Sequence, residues 1–215
     1  MSANKTHTIE LNKRIQSMTN IQELWDLIRS SSAGFNHVNV ATALRKVLQL
    51  PRHGVSPEVV VKALKTIEES ALQKMQVFGT QEIANTWHIM AKHRHKPSQA
   101  LLMALECRAE ELAEEFNTQE VVNSLWAFAT MGRTPGERLM GQLEGRAEAI
   151  SGEFNSQEVA NTLWAYATMG RKPGERLMAQ LEGRAEAISG EFNSQEVTNT
   201  LWAFATIGKI GRAHV

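Results

Sequence analysis

In the stretch FNSQEVANTLWAYATMGRKPG, residues 154–174, the apolar positions Val159, Ala160, Leu163, Trp164, Tyr166 and Ala167 fall on one broad arc at a helical period. Asn155 stands where an N-cap would accept from the first turn, Glu158 three residues later can complete a capping box, and Phe154 and Val159 flank the start as a hydrophobic staple. Gly170 follows the pattern as a stop. Beyond the Arg171-Lys172 turn, Pro173 opens a second amphipathic pattern in which Leu177, Met178, Leu181, Ala185 and Ile188 share a face, with Gly190 as its stop. The pattern thus predicts two helices with short connections, helix A and then helix B.

The same phrase recurs along the chain. Residues 154–191 differ from residues 116–153 at six positions of 38, and a further copy runs from Phe192 to Val215, reaching one helix only. A diverged copy begins at Phe78, where FGTQEIANTWHIMAKHRHKP keeps the aromatic, the Gln-Glu pair, the Asn, the Pro and, one place early, the Trp. An older one begins at Phe35, where FNHVNVATALRKVLQL has the same opening and apolar spacing, with a longer insertion before Phe78. Ahead of these, Leu11 and Ile15 suit one short helix and Ile21, Leu24, Trp25 and Ile28 another, as an atypical terminal cap does.

The predicted organisation is therefore an N-terminal helical cap at 1–34, a diverged repeat at 35–77, repeats at 78–115, 116–153 and 154–191, and a truncated repeat at 192–215. The expected fold class is all-α, an α-solenoid of tandem 38-residue helix-turn-helix repeats, of the kind seen in TPR and PPR arrays. Ending in mid-repeat leaves open that the chain is a fragment of a longer repeat protein.

Composition narrows the function. Lys plus Arg and Asp plus Glu both number 23, so no global basic field announces nucleic acid and any anion site must be local. Cys107 is the sole cysteine, which excludes an internal disulfide and reads as a small buried filler. No run approaches the ~18–20 apolar residues of a membrane span, and MSANKTHTIELNKRIQ has neither a signal core nor a clear transit peptide. Walker, GxSxG, GxGxxG and HExxH motifs are missing from the sequence, and Asp26 is the only aspartate. His88, His93 and His95 lie close together, but no cysteine or carboxylate pattern completes a zinc site, so they read as a solvated basic turn. The expectation is a non-enzyme with no cofactor and no metal.

The outer faces of the two helices differ. Helix B carries Glu175, Glu182 and Glu186, an acidic strip that phosphate would avoid. Helix A carries an uncharged polar line, Gln157, Asn161, Ala165 and Thr168, which recurs as Gln119, Asn123, Ala127 and Thr130, as Gln195, Asn199, Ala203 and Thr206, and in part as Gln81 and Asn85. Amides donate and accept, so rows of them can read base edges while cations at the rim hold phosphates. The rim candidates are Lys92, Arg94 and Lys96 in the diverged repeat and Arg133, Arg171, Lys172 and Lys209 after the later helices A. Each has a structural alternative: the Asn residues as a hydrogen-bonded ladder between repeats, Trp126, Trp164 and Trp202 as packing rather than base stacking, and the cations as solvated loops.

At these residues the chain resembles the octotricopeptide repeat family of algal chloroplast and mitochondrial factors. The matching motif is FN(S/T)QEV(A/V)N(T/S)LWA(F/Y)ATMG followed by the Pro that opens helix B, and the stretch from Leu11 into the first repeat is similar to the entry segment of FAST-kinase-like and RAP helical-repeat proteins. The resemblance implies a single-stranded organellar RNA partner, with protein partners also possible, no DNA and no membrane. It further implies a role in mRNA translation, stability or processing, and a chloroplast rather than a mitochondrial address. It points to Gln119, Asn123, Gln157, Asn161, Gln195 and Asn199 as base readers. At ~1–3 kcal/mol per stacked base against an association cost of ~4–15 kcal/mol, four repeats alone would bind marginally. The rival expectation is a protein-interaction scaffold, which would use exposed Met131, Met140, Met169 and Met178.

Overall fold

Asn155 begins its helix as its neighbours dictate: its side chain accepts from Glu158 N at 2.9 Å, and Glu158 Oε2 accepts from Asn155 N at 3.0 Å. The same reciprocal box forms at Asn117–Glu120, Asn36–Asn39 and Asn193–Glu196. Gly79 replaces the Asn in the diverged repeat, so there only the Glu82 carboxylate contributes, accepting from Gly79 N at 3.1 Å. The computed structural model describes residues 3–213, which hold α1 (Ala3–Ser17), α2 (Ile21–Ser31), α3 (His37–Gln49), α4 (Pro57–Gln73), α5 (Thr80–Lys92), α6 (Gln99–Glu111), α7 (Thr118–Thr130), α8 (Glu137–Ile150), α9 (Ser156–Thr168), α10 (Glu175–Ala187) and α11 (Ser194–Ala213). Among the described residues there is no strand, and single 3-10 turns precede α3, α5, α7, α9 and α11.

Helix A stops at a left-handed residue. Gly132 and Gly170 have φ of 65° and 69°, where a Cβ would press on the backbone, and the amides of Arg133 and Arg171 return to the carbonyls of Phe128 and Tyr166 at 3.0 Å. The diverged repeat closes the same way without glycine, with Arg94 at φ 51° and His95 N bonded to Met90 O at 2.9 Å.

Helix B differs from expectation at both ends. Pro173 and Pro135 lie one residue before the cap rather than inside the helix, because Gly174 and Gly136 stay extended as N-caps. Gly174 is held there by its N–H donating to Glu144 Oε1 at 2.9 Å. Only Pro57 of α4 occupies the first turn. Gly190 is no left-handed stop; it lies within the 3-10 turn Ser189–Glu191, closed by Glu191 N donating to Ile188 O.

The chain forms two compact units, Met1–Arg108 and Ala109–Val215. In the first, α1, α3 and α5 pack in order, with α4 against α2 and α3, around Leu11, Ile15, Leu24, Leu44, Ile67 and Trp87. The second packs α7, α9 and α11 in order, with α8 beside α10, around Phe116, Leu125, Phe128, Leu143, Phe154 and Tyr166. Positions decide burial: Val159 and Leu163 of α9 are sealed, whereas the equivalent Val197 and Leu201 of α11 are exposed, Leu201 by 65 %.

One polar tie recurs at a fixed spacing. Arg108, Arg146 and Arg184 of the B helices donate Nε to the carbonyls of Phe78, Phe116 and Phe154, thirty residues earlier, at 3.0, 2.7 and 2.7 Å. Each Phe side chain is buried, so its carbonyl sits near the core and the guanidinium satisfies it. A second tie links neighbouring A helices: Thr118 Oγ1 donates to Glu158 Oε1 at 2.8 Å. Cys107, expected as a buried filler, is exposed. None of the described helices is long and apolar enough to cross a membrane.

Candidate nucleic-acid interface

The polar face of helix A is not the line expected from the sequence. Ala127, Ala165 and Ala203 are fully buried, while Trp126 and Trp164 are half-buried and Trp202 is 47 % exposed. Helical geometry explains the exchange: at ~100° per residue, position 165 lies about 80° round the helix from position 157, whereas 161, 164 and 168 stay within ~40° of it. The solvent face therefore reads Gln157, Asn161, Trp164 and Thr168, and likewise Gln119, Asn123, Trp126 and Thr130. The indoles, expected to pack in the core or between repeats, lie on the side of the amides, half-buried at Trp126 and Trp164 and exposed at Trp202. Trp87, one place earlier in its repeat, takes the core position of Leu125 and Leu163 and is completely buried.

Gln119, Gln157 and Gln195 are exposed and Asn123, Asn161 and Asn199 half-exposed, on three helices packed in order. Among the described residues the side chains of these Asn residues make no hydrogen bond to the protein, so the ladder alternative is not formed. Amides presented this way keep their donors and acceptors for a ligand.

In the first unit the same helix face bends into a groove of about 380 Å³ across α1, α3 and α5. Gln81 and Asn85, singled out from the sequence, line it together with Asn12 and Gln16 of α1, Arg45 and Gln49 of α3, and His88 and Lys92 of α5. Three i, i+4 pairs, Asn12/Gln16, Arg45/Gln49 and Gln81/Asn85, face one space. Glu82 also lines it, but its carboxylate is taken by the N-terminus of α5. Burial, with the Lys92 charge adding to it, holds the His88 imidazole below its ordinary range, so at neutral pH it presents an uncharged ring. Sequence reasoning missed Asn12, Gln16, Arg45 and Gln49. Their spacing matched that of Gln81 and Asn85, but α1 was read only as a cap and the Phe35 copy only for its apolar positions.

The expected cationic rim divides. Lys92 lines the amide groove, whereas Arg94 and Lys96 line a separate cleft with Arg52. Arg133 and Lys172 are exposed in the turns after α7 and α9, and Lys209 is exposed within α11, which continues past the expected turn. Arg171 is committed: it grips Glu137 through two hydrogen bonds of 2.7 and 2.9 Å, which raise its pKa and hold the Glu137 carboxyl below the ordinary range. Arg133, its counterpart after α7, has no ion pair among the described residues.

The three histidines do not converge. His88 faces the amide groove, while His93 and His95 line the separate cleft and His95 bonds Glu68 at 3.0 Å. Among the described residues no three His, Cys, Asp or Glu side chains come together as a metal site. Of the methionines proposed for a scaffold surface, Met140 is buried and Met131, Met169 and Met178 are half-buried.

Comparison with known families gives one match. A family described as "RNA-editing substrate-binding complex 6 protein" matches residues 52–211, well over half of the chain. No curated protein matches it.

Proposed function

The chain belongs to the RNA-editing substrate-binding complex 6 protein family, and on that basis we propose that it is a non-catalytic protein that binds single-stranded RNA along the polar faces of its A helices and works beside protein partners. In this reading the helix pairs stack as an α-solenoid of 38-residue units, the arrangement that the octotricopeptide resemblance implies. The amides read base edges, the half-exposed indoles offer stacking faces, and Arg45, Lys92, Arg133, Lys172 and Lys209 hold phosphates, whereas Arg94 and Lys96, in the separate cleft, take no part. The site of action is an organelle, and the process is the handling of a transcript: its editing, stability, processing or translation. Neither DNA nor a membrane is a partner in this reading, and no cofactor is used.

The observation that carries the proposal is the groove in the first unit, where amides from α1, α3 and α5 line one space together with Arg45 and Lys92. An apolar groove would suit a helix of a partner; this one has the donor and acceptor chemistry of base recognition. Gln16, Arg45, Gln49, Gln81, Asn85 and Lys92 are exposed, so truncating them leaves the core alone.

The test is binding of the chain to a random single-stranded RNA pool across a salt series, read by anisotropy. The two cations of the groove, Arg45 and Lys92, should contribute about −1.4 to the slope of log K against log salt. Replacing Gln49, Gln81 and Asn85 together by Ala should weaken binding by about tenfold or more while the salt slope stays unchanged. Arg45→Ala with Lys92→Ala should flatten the slope. RNA affinity untouched by both sets would remove the groove from the proposal.

A further inference from the structure

The cleft beside α4 has a chemistry opposite to that of the amide groove. Its floor, in a space of about 400 Å³, is aliphatic: Val55 and Pro57 from the connection into α4, then Val60, Val61 and Leu64 from its first turns. Its wall is cationic, built from Arg52, Arg94 and Lys96, with the imidazoles of His93 and His95 beside them. Val61 is 62 % exposed, so the floor lies open to a macromolecule and does not enclose a small ligand.

Three observations show that these groups are not used by the fold. Arg52, Arg94 and Lys96 have no carboxylate partner among the described residues. The carboxylate nearby, Glu68, is already held by His95 at 3.0 Å and by Ser98 N at 3.1 Å. His93 Nε2 is buried without a hydrogen-bond partner in the protein, and burial together with the Lys92 and Arg52 charges holds that imidazole below its ordinary range. In addition, Arg94 occupies at φ 51° the left-handed position that glycine fills in the next two repeats, so the chain keeps a strained arginine where an unstrained residue would serve.

We propose that this cleft docks an extended peptide segment of a protein partner, one that carries carboxylates beside aliphatic side chains. The carboxylates meet Arg52, Arg94 and Lys96, and the aliphatic groups cover Val55, Val61 and Leu64. RNA suits the cleft less well, because no amide side chain and no Phe, Tyr or Trp ring lines it, and half of its lining is aliphatic surface that a nucleotide backbone would leave uncovered. The two sites thus divide the work by chemistry, RNA to the amides and protein to the aliphatic cleft.

The experiment selects short random peptides displayed on phage against the immobilised full chain, in parallel with a variant carrying Arg52→Glu, Arg94→Glu and Lys96→Glu. A second variant, Val61→Ser, alters the floor at an exposed position and leaves the charges in place. The expected result is enrichment of sequences rich in Asp or Glu next to Leu, Ile or Val. A synthetic copy of an enriched peptide should then bind roughly tenfold more weakly, or worse, to the charge-reversed variant and measurably more weakly to Val61→Ser, while single-stranded RNA binding stays as in the unaltered chain. Absence of acidic-aliphatic enrichment overturns the proposal, as does equal retention on the charge-reversed variant. RNA affinity that collapses with the charge reversal, without peptide enrichment, assigns the cleft to the RNA path and overturns it equally.

Discussion

Replacing Arg146 by Met keeps most of the side-chain stem in place but removes the donor that satisfies the Phe116 carbonyl at 2.7 Å. The Phe116 ring is fully buried, so its carbonyl cannot turn to water without moving the ring out of the core. A hydrogen bond from a charged group contributes about 1.5–3 kcal/mol, and an orphaned acceptor adds cost rather than relief. At ~2–4 °C per kcal/mol for a chain of this size, the expected fall in Tm is about 3–12 °C. The control is Arg138→Met: the Arg138 side chain is 76 % exposed and pairs with Glu110 at 3.3 Å, an arrangement worth about 0–1 kcal/mol. Thermal unfolding followed by circular dichroism and by calorimetry compares the two, with calorimetry detecting separate melting of the two units. If Arg146→Met shifts the transition no further than Arg138→Met, the carbonyl tie is not a stabilising element, and the same reasoning fails for Arg108 and Arg184.

Further outcomes follow from other contacts. Because Glu137 already occupies Arg171 through two short bonds, Arg171→Met should weaken RNA binding less than Arg133→Met, as measured by anisotropy at low salt; the reverse order would contradict the pairing. Gly170→Ala forces φ 69° on a residue with a Cβ and should cost about 1–2 kcal/mol, whereas Arg94→Gly at φ 51° should stabilise by a similar amount in urea unfolding. The lowered pKa values of His88 and His93 mean that the folded chain resists a proton that the unfolded chain accepts, so stability is complete above about pH 6.5 and declines as pH falls below it. Glu68 acts in the same direction lower down: burial raises its pKa, but bonds from His95 and Ser98 outweigh this, so its contribution is lost as pH falls below the carboxylate range. Urea midpoints that stay flat from about pH 8 to about pH 5 would refute the histidine part.

What the sequence made legible was local. Asn155, Glu158 and Gly170 mark a helix by interactions closed within a few residues, so the cap, the box and the left-handed stop could be placed without a structure. Pro173 was misplaced by two residues because the Gly174 amide is captured by Glu144, thirty residues earlier, which no local pattern records. The Ala–Trp exchange on the outer face came from a loose helical wheel: 165 and 164 are adjacent in sequence but lie on opposite sides of the boundary between core and solvent. Arg171 looked like a free rim cation because Glu137 lies 34 residues away in the chain and beside it in space. The groove stayed hidden for a related reason. Its walls come from α1, α3 and α5, and the first two belong to segments too diverged from the later copies for their polar positions to stand out.

The ties that hold the helix pairs have a consequence for how the chain reaches its native state. Arg to Phe carbonyl, Tyr166 to Glu144, and Thr118 to Glu158 span 30, 22 and 40 residues respectively. Short spans mean little loop entropy to lose before each of these contacts forms. The Arg-to-Phe tie also closes within one 38-residue copy of the sequence, 116–153 or 154–191. Excising residues 154–191 would bring Phe192 directly behind Glu153, where Phe154 now stands, and would offer Asn193 and Glu196 to α11 as the same start. The joint would not be fully restored, because Phe204 would stand where Tyr166 bonds Glu144, and Lys209 where Arg171 grips Glu137.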